Sequence, residues 1–500
     1  MNMGRRIKAA YRAFTAPWRQ AAQRGGYEGA RITNYMDFAT RLEAAHKERM
    51  RDLGALRAHS RDLAKNNAYM KSYRDLCVTN IIGPDGIDFE NNLIDLHGKP
   101  QDGINDIVEA AHEDWKRAVT ADGQSSWFDF EQLVTASLAV DGEAFVHLLR
   151  GHGAHGLLLE LIDPDRIDHN LNTALNNGRR IIMGIEVDEK FKPLAYYVRT
   201  AHPTDPQGVT PGKPYITRVP ADEILHVYLD DRTNGVRGIP WASACMVHLD
   251  MLHRLWTSAL AAANAESDRL GIIKGAPNLN GEELREIGQD DKGNPLFTPA
   301  SVAKTITSEM ASYSGIPLGL DVEFPPPQHP NPVLGDFTKF LLKGIAAGLQ
   351  VSYHSLAGDV AEANYSSLRA SLLTERDSWR KIQHSIIGKF HEKITKIFVE
   401  MSWLSGKIAI DAPPDEFYRP IWWPRSWDWV DPQKDVQAEV IALKNRITNY
   451  QRILGKRGLD WREEFKQMVI EEKFAEEIGL DLTPEMTLAL LSKTPTGGPK

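Results

Sequence analysis

Hydrophobic positions change their period several times along this chain, and each change marks a boundary. Over residues 35–80 they recur at helical spacing: RDLAKNNAYMKSYRDLCVTNIIG sets Leu63, Asn67, Met70, Arg74, Cys77 and Val78 on related faces until Gly83-Pro84 ends the run. Helical character returns over 107–118. WFDFEQLVTASLAVDGEAFVHLLRG then predicts a helix passing through the turn Asp141-Gly142 into an apolar strand over 144–149. LLLELIDPDRI, RRIIMGIEVDEKFKPLAYYVR and VPADEILHVYLDD supply further strands, so residues 33–239 read as an α+β lobe.

At Pro240 the character changes, because the next thirty residues contain neither Gly nor Pro. Val247, Met251, Leu255, Ala259 and Ala262 lie near one stripe, which predicts a long helix over 240–270 with one narrow buried side. An excursion over 271–330 opens with the apolar LGIIKG, a strand too small to hold a sheet alone, and closes at FPPPQHPNP. Asn331-Pro332 starts a second helix to about 350, with Val333, Phe337, Phe340, Leu341, Ile345 and Leu349 in register to run back against the first. A Gly/Asp/Ala-rich loop over 351–365 follows. Beyond it Leu368, Leu372, Trp379, Ile382, Ile386, Phe390, Ile394 and Ile397 hold one stripe over 366–403, a rod on the order of 55 Å long. An aromatic-rich segment over 404–430 ends at Asp431-Pro432, charged helices run to 491, and 492–500 is a linker-like tail.

Five hundred residues exceed one ordinary core, so several lobes are expected. With 42% hydrophobic and 25% charged residues and no run of eighteen apolar ones, the composition is that of a folded protein without a membrane-spanning helix. Cys77 and Cys245 give neither a disulfide framework nor ligand spacing, which fits a reducing compartment. The net charge of −8 argues against a protein that grips nucleic acid through a general basic surface. Residues 1–32 behave differently: Arg5, Arg6, Lys8, Arg12, Arg19 and Arg24 precede any acid, so this reads as a flexible basic arm, either solvated or bound to an acidic partner or DNA.

Catalytic patterns are weak. There is no GxxxxGK[ST], no GxGxxG after a strand and no GxSxG elbow. His147, His152 and His155 cluster, the last two in a Gly-rich turn, without paired carboxylates at metal-ligand spacing. Asp163-Pro164-Asp165 is first of all a turn, and Trp422, Trp423, Trp427 and Trp429 are either core anchors or a stacking platform. No catalytic, metal or cofactor residue is assigned. A nucleic-acid-processing enzyme with a site between the lobe and the long helices, built for instance on His354, Asp359 and His384, remains the alternative reading.

The order of elements, with RDLAKNNAYMKSYRDLCVTNIIG, DGEAFV, ELIDPDRI, ADEILHVY, RGIPW, LAGDVAEANYSSLRA, ERDSWRKIQ and WDWVDPQKD, resembles the portal proteins of tailed bacteriophages, specifically the lambda-like portal family, over roughly residues 57–472. The resemblance implies a structural protein of the virion, assembled in the host cytoplasm as a ring of about twelve copies at one capsid vertex, with double-stranded DNA passing through its channel. It implies a wing over 33–239 and 404–430, stem helices over 240–270 and 331–350, a clip over 271–330, a tunnel loop over 351–365 with its long helix behind, and a C-terminal crown over 431–491. The partners implied are the terminase large subunit, major capsid and scaffold proteins, and head-completion or connector proteins. Ser355, Gly358, Asp359, Glu362, Asn364 and Tyr365 would face DNA, and Lys274, Asn278, Glu282 and Glu283 of the clip would face partners.

The residue types in the loop suit that role. DNA carries one charge per ~1.7 Å of axis, so basic residues would hold it by counterion release. Residues 351–367 contain Asp359 and Glu362 but no Lys or Arg, and ring symmetry would turn each acid into an annulus of negative potential. Small residues (Ala357, Gly358, Ala361, Ala363) should leave the loop mobile, with Asn364 or Ser366 capping the rod.

Overall fold

The computed structural model describes residues 43–95, 100–205, 214–267, 272–275, 320–323, 332–361, 364–427, 432–455 and 461–477. The first helical run is two helices, α1 (Ala45–Asn66) and α2 (Ala68–Ile81), because Asn67 takes an extended conformation and its side-chain oxygen accepts from Tyr69 N and Met70 N. That cap outcompetes helix continuation. Strand β1 (Asp88–Asn91), helix α3 (Asp102–Lys116) and helix α4 (Trp127–Asp141) follow, the last opened by a Ser126–Asp129 capping box.

Strands β2 (Glu143–Arg150) and β3 (Leu157–Ile162) precede a meander of β4 (Thr173–Ala174), β5 (Arg180–Ile182), β6 (Ile185–Val187), β7 (Pro193–Arg199) and β8 (Ile216–Pro220), and β9 (Ile224–Tyr228) closes the lobe. The pairing is antiparallel throughout, in a three-stranded sheet of order β3-β2-β9 and a five-stranded sheet β4 to β8. The two-residue period of β2 joins two cores: Ala144, Val146 and Leu148 enter the larger, shared with the helices, while Phe145 enters the smaller, with Ile162, Ile185, Tyr196 and Val198. These elements confirm a mixed helix-and-sheet protein.

Helix α5 (Met246–Ser267) starts six residues after Pro240, later than the sequence pattern indicates. Trp241 N is drawn to Ala139 O at the end of α4, and 241–245 form turns closed by Ser243 N→Pro240 O and Cys245 N→Ala242 O. Short strands β10 (Ile272–Gly275) and β11 (Leu320–Glu323) pair antiparallel, so the LGIIKG strand finds its partner within the chain. Helix α6 (Pro332–Leu349) returns: its Leu342, Ile345, Ala346 and Leu349 share a buried core with Leu249 and Leu252 of α5. The Cys245 thiol lies 3.5 Å from Ile345 O, and a side chain at Gly348 would collide with its sulfur.

After helix α7 (Tyr353–Ala357) the rod appears as α8 (Tyr365–Ile386) and α9 (Glu392–Leu404), joined by a π-turn at Ile387–His391. Helix α10 (Pro414–Phe417) leads to β12 (Pro420–Trp423), which pairs with β1 across more than three hundred residues of chain. The tryptophans of this return segment are anchors: Trp422 lies against Phe89 and His391, Trp423 Nε1 donates to Glu90, and Trp427 Nε1 donates to Asn80. Trp429 lies outside the described residues. Helices α11 (Pro432–Lys444), α12 (Tyr450–Gly455) and α13 (Trp461–Glu477) complete the described residues. No helix among the described residues is long and apolar enough to cross a membrane.

Candidate functional site

One buried carboxylate fixes the segment that leads from the lobe into α5. Glu143, at the first position of β2, is fully buried and accepts from Arg237 Nε (2.9 Å), Arg237 NH2 (2.6 Å), Arg57 NH2 (2.7 Å), His226 Nε2 (3.0 Å) and Gly238 N (3.1 Å). Arg237 spends its remaining donors on the carbonyls of Pro164, Ile167 and Met183. Burial by itself would push the Glu143 carboxyl up, but Arg237, the His226 hydrogen bond and Arg57 reverse this and hold it well below the usual carboxylate range.

Two glycines permit this approach. Gly142 has φ +85°, and a Cβ there would fall inside the Ile239 carbonyl; a Cβ at Gly238 would fall inside that of Gly142. The turn Asp163-Pro164-Asp165 joins the same cluster. Asp163 caps a 3-10 turn, Asp165 meets Arg57 and Arg61, and Arg61 also reaches Asp141 and Asp163. His202 stands 3.7 Å from Asp165, but the two guanidinia already supply these carboxylates with countercharge.

Between stem and rod the loop is more structured than its composition indicates. Ser352 caps α7, and Gly358, with φ +65°, ends it. Glu375 of α8, 6% exposed, accepts from Ser352 N (3.0 Å), Ser355 Oγ (2.7 Å) and Trp379 Nε1 (3.1 Å), tying α7 to the rod. Asp359 accepts from the Tyr353 hydroxyl (2.8 Å) and Ala361 N (3.1 Å), while His354 Nδ1 lies 2.7 Å from the Asp359 backbone oxygen. The Ala361 N–H first, then the Tyr353 hydroxyl, hold the Asp359 carboxyl below its ordinary range. Two cations of α6 flank the loop: the Lys343 ammonium lies 5.8 Å from the Tyr353 ring centre, and the charge of Lys339 acts on Asp359.

Of the residues expected to face DNA, Ser355 is turned inward to Glu375, Gly358 is an exposed helix end, and Asp359 is clasped by its own loop. Asn364 caps α8 by accepting from Ser367 N at 2.7 Å. Tyr365 is the first residue of that helix, and Glu362 lies outside the described residues. Of the residues expected to face partners, Lys274 lies on β10, while Asn278, Glu282 and Glu283 lie outside the described residues. The trio His354, Asp359 and His384 does not form a site: His384 is exposed on the rod, and the other two satisfy their own loop. His147 pairs with Glu160 (3.2 Å), and buried His155 lies between Ser402 and Asp114, while His152 stays exposed. Sequence reasoning missed Glu375, Lys339 and Lys343, whose helical spacing resembles any solvated face.

Residues 33–383 match the family described as phage portal protein, lambda family, and the chain belongs to it. It is 30% identical over 436 residues to a probable portal protein of Halomonas phage phiHAP-1, covering 86% of this chain and 82% of that one. It is also 24% identical over 478 residues to portal protein B of Escherichia phage lambda, with 85% and 84% covered. Among solved structures, the neck of an empty gene transfer agent particle computed with C6 symmetry overlaps 82% of this chain and 94% of that chain, at 14% identity and a TM-score of 0.42. An HK97 family phage portal protein from Corynebacterium diphtheriae overlaps 63% and 84%, at 14% identity and a TM-score of 0.29. Such overlaps are too loose to inform the geometry described above. The chain is a portal protein, and its family's role is to give phage DNA a channel.

Proposed function

We propose that about twelve copies of this chain close into a ring at one capsid vertex, through which double-stranded DNA is packaged and ejected. The observation that carries the ring is the outer surface of the stem. Val247 and Met251 on α5 and Phe337 and Phe340 on α6 are all exposed, on faces turned away from the contact between the two helices. Apolar stripes of this kind need a neighbour, and rotational closure gives each copy one on either side. Electron-microscope class averages of the purified protein test this: closed rings of about twelve support it, and monomers or open filaments overturn it.

In this reading the lobe and Trp-rich return form the wing, α5 and α6 the stem, and residues 271–330 the clip. The clip docks the terminase large subunit and later the head-completion proteins, while capsid and scaffold proteins surround the wing. The role is structural rather than catalytic, carried out in the virion after assembly in the host cytoplasm. Residues 351–365 face DNA with acids and no Lys or Arg, which keeps the duplex from sticking. Glu362→Lys, which leaves the Tyr353–Asp359 clasp in place, should preserve ring assembly and slow packaging at low salt. The defect should shrink as the Debye length falls from ~10 Å at 0.1 M to ~3 Å at 1 M salt. Wild-type packaging by this variant at low salt would remove the loop from the channel.

A further inference from the structure

The rod is built in two registers. Glu375, Trp379, Gln383, Ile387, His391, Thr395 and Val399 recur every fourth residue, and all seven are buried. An α-helix turns about 100° per residue, so each four-residue step overshoots a full turn by about 40°. Six steps would carry the row roughly 240° around the axis and out of the core. The extra residue of the π-turn at Ile387–His391 takes back about 100° of this, which lets both halves face the lobe.

The halves serve different ends. Before the turn, Gln383 Nε2 donates to Asn80 O (3.0 Å), Ile81 O (3.3 Å) and Arg425 O (3.1 Å), and Glu375 holds α7. Within the turn Phe390 stacks on Trp127 with ring centres 5.3 Å apart, and beyond it Phe398 packs on Trp115. At the turn itself, His391 Nε2 meets Glu131 Oε2 at 2.9 Å, with both side chains essentially inaccessible to solvent. Around this pair, His391 Nδ1, Thr395 Oγ1, Thr135 Oγ1 and His112 Nε2 are buried without a protein hydrogen-bond partner among the described residues. The packed interior thus carries donors and acceptors that the observed register does not use.

We infer that the π-turn is a movable register defect of the rod, and that the buried Glu131–His391 pair pins it where it is seen. Moving the defect toward the loop re-aims each residue it passes by about 100° and shifts it about 1.5 Å along the axis. Once past Gln383 it breaks that residue's three backbone bonds, and once past Glu375 it frees α7. A change in the lobe core at Glu131 is thereby read out at the loop some 220 residues later in sequence, through a helix with two discrete arrangements. The inference concerns the register of one chain and does not depend on ring closure.

Hydrogen exchange of the full-length protein, in whatever assembly it forms, tests this. His391→Phe and Glu131→Leu each remove the pin from one side while keeping apolar bulk. Both should speed amide exchange about tenfold over Tyr353–Ala357 and Tyr365–Ile386, and leave Glu392–Leu404 close to wild type. Glu131→Gln retains an acceptor and should stay near the wild-type pattern. Phe398→Leu, which loosens the same core without touching the pin, reports general destabilisation. The inference is overturned if the two unpinned variants match Phe398→Leu, differ from each other in pattern, or change nothing beyond the neighbours of residue 391.

Discussion

Two buried glutamates hold this molecule's joints with different chemistry. Glu143, at the root of the α5–α6 pair, faces two guanidinia, an imidazole and a backbone N–H from three separate parts of the lobe. Glu375, under the loop, faces only neutral donors: a backbone N–H, a hydroxyl and an indole. Removing one partner from the first leaves uncompensated buried charge, whereas the second loses one ordinary hydrogen bond. The root is therefore locked and the loop is merely latched, so motion is expected at the loop before the stem.

The largest effect should come from the backbone at the root. Gly142→Ala forces a side chain into the Ile239 carbonyl at a positive φ, and should cost more than about 4 kcal/mol, read as loss of soluble protein or a collapsed denaturation midpoint. The same substitution at the two glutamates then tests the contrast directly. Glu143→Gln should cost about 3–5 kcal/mol because Arg57 and Arg237 lose their charge partner.

Acid should act on the root as well. Burial holds His226 below the ordinary histidine range, so the unfolded chain takes up a proton that the folded one refuses. Stability should fall as pH drops below about 6.5, and fall again below about 4.3, where the unfolded-state counterpart of depressed Glu143 protonates. Urea midpoints between pH 7 and 3 would show both steps, and a flat profile would mean that the cluster is not what holds the root. Glu375→Gln should be milder, about 0.5–1.5 kcal/mol, with faster exchange confined to α7; equal costs at the two glutamates would dissolve the distinction.

Much of this architecture was legible in the sequence because periodicity and punctuation are local. The rod and the Trp-rich return follow from stripes and from Pro and Gly positions, whereas the stripe read as the buried side of α5 is exposed at Val247 and Met251 and the helix packs through Leu249 and Leu252 instead; the quoted segments carried the family. Neither glutamate was legible in its role. Glu143 finds Arg237 ninety-four residues away, a pairing that only the fold creates. Glu375 sits on a helix whose other charged residues are exposed or half-buried. The π-turn was hidden because a stripe read at spacings of three and four tolerates one inserted residue. The loop's helical turn was missed because Gly358, its stop, was read as softness and Ser352, its cap, was not singled out.

The contact of Cys245 with Ile345 and Gly348 means that the chain departs from the lobe and comes home at nearly the same place. Beyond the packed bases of α5 and α6, where Leu249, Leu252 and Leu342 belong to the core, the chain can vary with little effect on the lobe. Because Gly275 and Leu320 face each other across β10 and β11, replacing residues 276–319 with a tight turn should leave the lobe's melting temperature where it was. The far end can thus change in length and sequence while the lobe keeps its fold.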